Sequence, residues 1–187
     1  MAASNIRQNY HPDSENAVNK QANLLLKSSY TYLSLAHYFQ RDDVALPNAS
    51  KLFDHLSSEH REHATELLDF QNKRGGRVVL TDIPKPDRDE WGSLKEALTV
   101  ALETEKTLNS GFLALHGVAD ATNDPNMSDF VEEEFLEREV RYLKKLGDFL
   151  RELNRAGPNL GEYLFDKETL GENPLEDTDD EDEKKKA

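Results

Sequence analysis

The chain has 187 residues, 37 acidic and 23 basic, for a formal net charge of −14. Its length suits one domain with a sizeable core, and the lack of cysteine excludes disulfides, thiolate zinc sites and thiol nucleophiles. The negative field argues against nucleic acid or an anionic membrane as the main partner, because phosphate contacts need clustered Lys and Arg, and it leaves cations as the natural counterparts.

The N-terminal MAASNIRQNY lacks the apolar run of a secretory signal, and no stretch nears the ~18 to 20 apolar residues of a membrane span. A cytoplasmic protein is the expectation. Four long segments then repeat apolar residues at spacings of three and four, the pattern of amphipathic helices in a bundle. The first starts near Pro12 and carries Ala22, Leu25, Ser29, Tyr32, Ala36 and Phe39 on one stripe. The second begins at Pro47, runs through Leu52, Leu56, His60, His63, Leu67 and Phe70, and stops at Gly75-Gly76. The third opens at Ser93, a good N-cap, and continues through Leu94, Leu98, Ala101, Glu105, Leu108, Phe112, Leu115 and Ala119. The fourth starts at Asp124-Pro125 and places Ser128, Glu132, Phe135, Glu139, Tyr142, Leu146, Phe149 and Leu153 on its stripe before Gly157-Pro158.

Few residues separate the first and second segments, or the third and fourth, so each pair is expected to form an antiparallel hairpin. Roughly 18 residues separate the second from the third, enough for a crossover along the bundle that leaves those two helices parallel. The expected architecture is all-α: a four-helix bundle with one long crossover, and a short fifth helix (Leu160, Tyr163, Leu164, Phe165, Leu170) that must dock on it. Residues 1–171 form the predicted folded body. Residues 172–187, with eight acids against three lysines, carry a net −5 of the total charge and are expected to be a disordered tail.

His60, His63, Glu105 and Glu139 occupy stripe positions that should face the core, with Tyr32 on the first helix at a similar depth. A lone buried charge would cost several kcal/mol. Two arrangements relieve that cost: the side chains bond to one another, or they converge on a metal ion. Recurrence of polar residues at one depth on every helix favours the metal, and oxygen ligands with imidazole suit iron.

The strings IRQNYH (6–11), SYTYLSL (29–35), RDDVAL (41–46), QNKRGGR (71–77), DEWG (89–92), DPNMSDF (124–130) and GEYLFDK (161–167) make the chain resemble a eukaryotic ferritin subunit over residues 5–171. The resemblance implies assembly of 24 ferritin-like bundles, of this chain alone or with another subunit type, into a hollow shell. That shell takes up Fe²⁺ and stores it as a ferric mineral. It also implies a mixed match to the ferroxidase centre of heavy-type subunits. Tyr32, Glu59, His63 and Glu105 match, and the heavy-type glutamine is Glu139 here. The first-helix glutamate is replaced by Leu25 and the bridging glutamate by His60. A diferrous pair carries four positive charges and needs bridging anionic oxygens. Leu25 offers no lone pair and His60 cannot bridge as a carboxylate does, so fast paired oxidation is not expected. In this the chain is similar to light-type subunits.

The resemblance further implies mineral nucleation at Glu59 and Glu62, which are three apart on one helix face with Glu66 a turn beyond. It implies a threefold cation channel lined by Asp129 and Glu132, and a fourfold axis faced by Leu160 and Leu164. An active ferroxidase with a centre remodelled from Glu59, His60, His63, Glu105 and Glu139 is the alternative. The acidic tail would lie inside the cavity, as extra iron sites, or outside as a solvated extension.

Overall fold

A computed structural model describes residues 4–172. Helices begin where the chain supplies a start. Pro12 opens α1 (Pro12–Phe39), with the His11 ring accepting a hydrogen bond from the Asp13 N–H at 3.2 Å. At the head of α3 (Leu94–Ala121), Ser93 and Glu96 cap each other's backbone N–H reciprocally. Asp124 accepts from the Met127 N–H at 3.2 Å and starts α4 (Pro125–Val131). The exception is α2 (Pro47–Lys73): Leu46 precedes it and offers no side-chain cap. The cap comes from elsewhere in the chain, as the Asp166 carboxylate accepts from the Ala49 N–H at 2.7 Å. Helix α2 ends before Gly75, whose φ of +76° suits glycine, and a Cβ there would sit 2.9 Å from the Arg7 backbone nitrogen.

The fourth helix is interrupted. Between α4 and α5 (Glu137–Ala156) lies a π turn, Glu132–Leu136, in which the Glu137 N–H reaches back five residues to the Glu132 carbonyl. That wide turn corrects the expected stripe. Met127, Val131, Phe135 and Glu139, each four apart, are buried, whereas Ser128 is half-buried and Glu132 exposed. A regular helix would have rotated the spacing-of-four positions off the core; the extra residue in the turn holds them in line. A smaller correction concerns α1, where Ser28 is buried and Ser29 only half-buried. Beyond Gly157, α6 (Leu160–Leu164) runs into a second π turn (Phe165–Thr169) and a 3₁₀ turn (Leu170–Glu172).

Helices α1 and α2 form one hairpin, and α3 with the fourth helix the other. The crossover between them lies along α1. Asn19 bonds to Arg77 and Val79, Asn23 to the Thr81 carbonyl, Ser34 to the Trp91 indole and Tyr38 to the Gly92 carbonyl. Crossover residues advance with α1, so α2 and α3 start at the same end and run parallel. This is the predicted all-α bundle with a docked short helix, and no strand occurs among the described residues. The short helix docks through Phe165 and Leu170, both buried, with Phe165 edge-on to Phe149 at 5.8 Å. Leu160, Tyr163 and Leu164 are exposed. No helix among the described residues is long and apolar enough to cross a membrane. Apart from Glu172, the acidic segment 172–187 lies outside the described residues.

The core has two apolar clusters, one toward each end. One gathers Tyr32, Phe39, Phe53, Leu98 and Phe149; the other gathers Val18, Leu25, Leu67, Phe112 and Phe135. Each fully buried Leu or Phe contributes roughly 1.5 to 3 kcal/mol by leaving water. Between the clusters lies a band of buried polar side chains.

Candidate metal centre

The band draws on all four long helices. Ser28 and Tyr32 come from α1, His60 and His63 from α2, Glu105 from α3 and Glu139 from α5, and all are buried. Tyr32, His60, His63, Glu105 and Glu139 thus all face the core, as their stripe positions predict. Leu25 is fully buried in the apolar cluster and adds no ligand.

Much of the band is bonded internally. The Tyr32 hydroxyl donates to Glu105 Oε1 and lies 3.3 Å from the Ala101 carbonyl. Ser28 Oγ and His60 Nδ1 share a hydrogen bond of 2.7 Å, and the other His60 nitrogen lies 3.5 Å from Glu105 Oε2. Tyr142 donates to Glu59 Oε1, and Arg138 Nη1 donates to His63 Nε2. Glu59 is therefore turned toward the band, 3.9 Å from His63, while Glu62 is exposed. Among the described residues, three buried carboxylate oxygens have no hydrogen bond: Glu59 Oε2, Glu105 Oε2 and Glu139 Oε2. At 3.5 Å His60 attracts Glu105 Oε2 without bonding to it. Among the described residues no three His, Asp or Glu side chains are disposed to hold a metal ion together.

The electrostatics follow from this crowding. Burial, with Glu105 and Glu59 adding their charge, pushes the Glu139 carboxyl up to about 9. Burial pushes His63 down to about 3, with help from Arg138 and His60, so this imidazole is neutral at physiological pH. Burial and the neighbouring Glu105 hold the Tyr32 hydroxyl well above its ordinary value. Glu66, nearer solvent, is raised by partial burial and by Glu134, Glu62 and Glu59, against the pull of Arg138.

The predicted channel pair lies elsewhere. Asp129 is exposed on α4, and Glu132 is exposed at the π turn, 2.5 Å from His116 Nε2. The other nitrogen of His116 lies 3.4 Å from Asp120. Sequence reasoning missed Ser28, Arg138 and the hydroxyl role of Tyr142. A signal for Arg138 existed: it stands three residues after Phe135 and four before Tyr142, flanking the buried stripe on the inward side.

Residues 15–156 match a family described as a ferritin-like domain. The chain is 55% identical over 170 residues to the soma ferritin of Lymnaea stagnalis, an alignment covering 91% of this chain and 98% of that one. It is 57% identical over 174 residues to the ferritin light chain, oocyte isoform, of Xenopus laevis, with coverage of 91% and 98%. It is 52% identical over 172 residues to the ferritin middle subunit of Aquarana catesbeiana, with coverage of 90% and 98%.

Proposed function

This chain belongs to the ferritin family, and we propose that it is an iron-storage subunit of light-like character. In this reading 24 subunits, with a catalytic type among them, enclose a cavity. Fe²⁺ passes Asp129 and Glu132 and is oxidised chiefly by the partner subunits. Ferric mineral grows from Glu59 and Glu62, with Glu66 extending the acidic face.

Overall similarity does not choose the subunit type, because a light chain and a middle subunit are both close relatives. Leu25 and His60 support the light-like reading. Leu25 is fully buried among apolar side chains. A two-iron site would need an anionic oxygen from that helix, and admitting one into an apolar cluster would cost several kcal/mol without a cation. The band has a further deficit, since imidazole at His60 supplies a nitrogen where a bridging pair of oxygens is needed.

Stopped-flow oxidation of Fe²⁺ by shells of this chain alone tests the reading. Slow oxidation, insensitive to His63→Ala, is expected. Rapid oxygen uptake abolished by that substitution would overturn it. Nucleation is tested separately: Glu59→Ala with Glu62→Ala is expected to slow mineral growth after oxidation, and an unchanged loading rate would leave a purely structural shell subunit. Chains truncated after Gly171 are expected to load iron more slowly if the acidic segment adds sites inside the cavity, and equal loading removes that role.

One observation favours the alternative, a remodelled centre built from Glu59, His60, His63, Glu105 and Glu139. Three of these carry the buried carboxylate oxygens that lack any donor. Once ionised, such oxygens are hard anionic ligands, and a cation that displaced the Glu139 proton would relieve their desolvation.

A further inference from the structure

Arg138 is not among the ligand positions that the resemblance brings, yet it reaches the band. It is half-buried on α5 and donates from Nη1 to His63 Nε2. A guanidinium has N–H donors and no lone pair. The His63 nitrogen facing it must therefore be the unprotonated one, with the ring hydrogen on Nδ1. Ligation of a metal by imidazole uses that same lone pair. One nitrogen cannot serve both partners at once.

The surroundings of the guanidinium point the same way. Its positive charge acts on Glu139 and Glu66 as well as on His63. Glu105 and Glu139 are more than nine-tenths buried, and each has an oxygen with no hydrogen-bond donor. Arg138 is a cation that the chain itself places beside these oxygens. The π turn contributes to this placement: by keeping Phe135 and Glu139 in line with the core, it sets Arg138 on the inward edge of α5.

We propose that Arg138 is a built-in competitor of metal at the band, its guanidinium holding the His63 lone pair and supplying the positive charge that a divalent ion would otherwise bring. A metal ion gains His63 as a ligand only when Arg138 leaves it. This deepens the light-like reading and rests on it: Leu25 removes one ligand from the two-metal arrangement, and Arg138 withholds another.

Co²⁺ binding to assembled shells tests this without any oxidation step. Bound Co²⁺ is counted by equilibrium dialysis, and its visible absorption reports nitrogen ligation. Shells with Arg138→Gln are expected to bind one more Co²⁺ per subunit than the parent, and adding His63→Ala is expected to abolish the gain. Arg138→Lys keeps the positive charge and a donor, and is expected to keep the parent count. An Arg138→Gln shell with the parent count and spectrum overturns the proposal, as does a gain in the lysine variant. A third comparison does not depend on how the glutamine variant assembles. In the otherwise unaltered chain, His63→Ala should leave Co²⁺ stoichiometry unchanged, and a loss of one ion per subunit would show that His63 already ligates. Rapid Fe²⁺ oxidation by parent shells would sink the light-like reading without touching these counts, so the two failures are distinguishable.

Discussion

At the scale of single residues, Glu139 couples the band to pH. Its carboxyl is pushed up to about 9 by burial and by Glu105 and Glu59, whereas in the unfolded chain it ionises near ~4.3. Between these values the folded protein holds a proton that the unfolded chain has released. Unfolding then gives up a proton, so stability falls as pH rises through the window. Each pKa unit is worth ~1.4 kcal/mol, so even part of the shift is measurable. Glu139→Gln removes the proton exchange. In metal-free protein the gain in Tm of this variant over the parent should grow from pH 5 to pH 8. A gain independent of pH would mean that Glu139 ionises normally. Tyr32→Phe acts in the opposite direction. It strips the hydrogen bond from Glu105 Oε1 and leaves both oxygens of a fully buried carboxylate bare. The expected cost is about 1 to 3 kcal/mol, checked by thermal or denaturant unfolding at neutral pH.

At the scale of elements, the contact between the short C-terminal helix and α2 is the most exposed to substitution. Helix α2 has no side-chain cap of its own, and the buried Asp166 carboxylate satisfies one of its first N–H groups from the far end of the chain. Asn48 closes the contact by donating to the Asp166 carbonyl at 3.1 Å. Asp166→Ala should cost about 1 kcal/mol, the usual value of an N-cap. It should also speed amide hydrogen exchange in residues 160–172 and in the first turn of α2 together. Faster exchange in only one of the two would show that they are not coupled.

Elements also mark how far the sequence could be followed. Pro12, Pro47, Ser93 and Asp124 start helices as their chemistry dictates, and the stripes of α2 and α3 are buried throughout. The π turn was not legible, because alternating threes and fours describe a regular helix, on which Ser128 and Glu132 would take the inward places that Met127 and Val131 hold. Candidate ligands His60, His63, Glu105 and Glu139 stood out since they break an apolar stripe. Ser28 flanks its stripe, where polar residues are ordinary, and only packing shows that it turns inward; Arg138 carried a signal in its spacing from Phe135 and Tyr142, but a polar residue beside a stripe does not stand out as one within it does. Asp166 was hidden for another reason: its partner is more than a hundred residues away.

At the scale of the whole molecule, the formal charge of −14 becomes useful only if it is concentrated where cations pass. Asp129 and Glu132 are exposed and one turn apart at the head of the fourth helix, with His116 already bonded to Glu132. Three copies around an axis would stack these carboxylates into rings, and low-dielectric walls focus the potential of such rings onto a narrow path. Screening distinguishes that focused field from the diffuse field of the other acids. The Debye length is about 10 Å at 0.1 M salt and about 3 Å at 1 M, so steering from a distance fades while contact binding persists. Asp129→Asn with Glu132→Gln should therefore slow the initial uptake of Fe²⁺ by assembled shells about tenfold or more at low ionic strength. The ratio between parent and variant should shrink as salt rises toward 1 M. Neutralising two exposed acids elsewhere, such as Glu103 and Asp148, removes the same formal charge and should leave uptake nearly unchanged. Equal slowing by both pairs would assign the effect to net charge alone, and no slowing by the channel pair would place the route of the ion elsewhere in the shell.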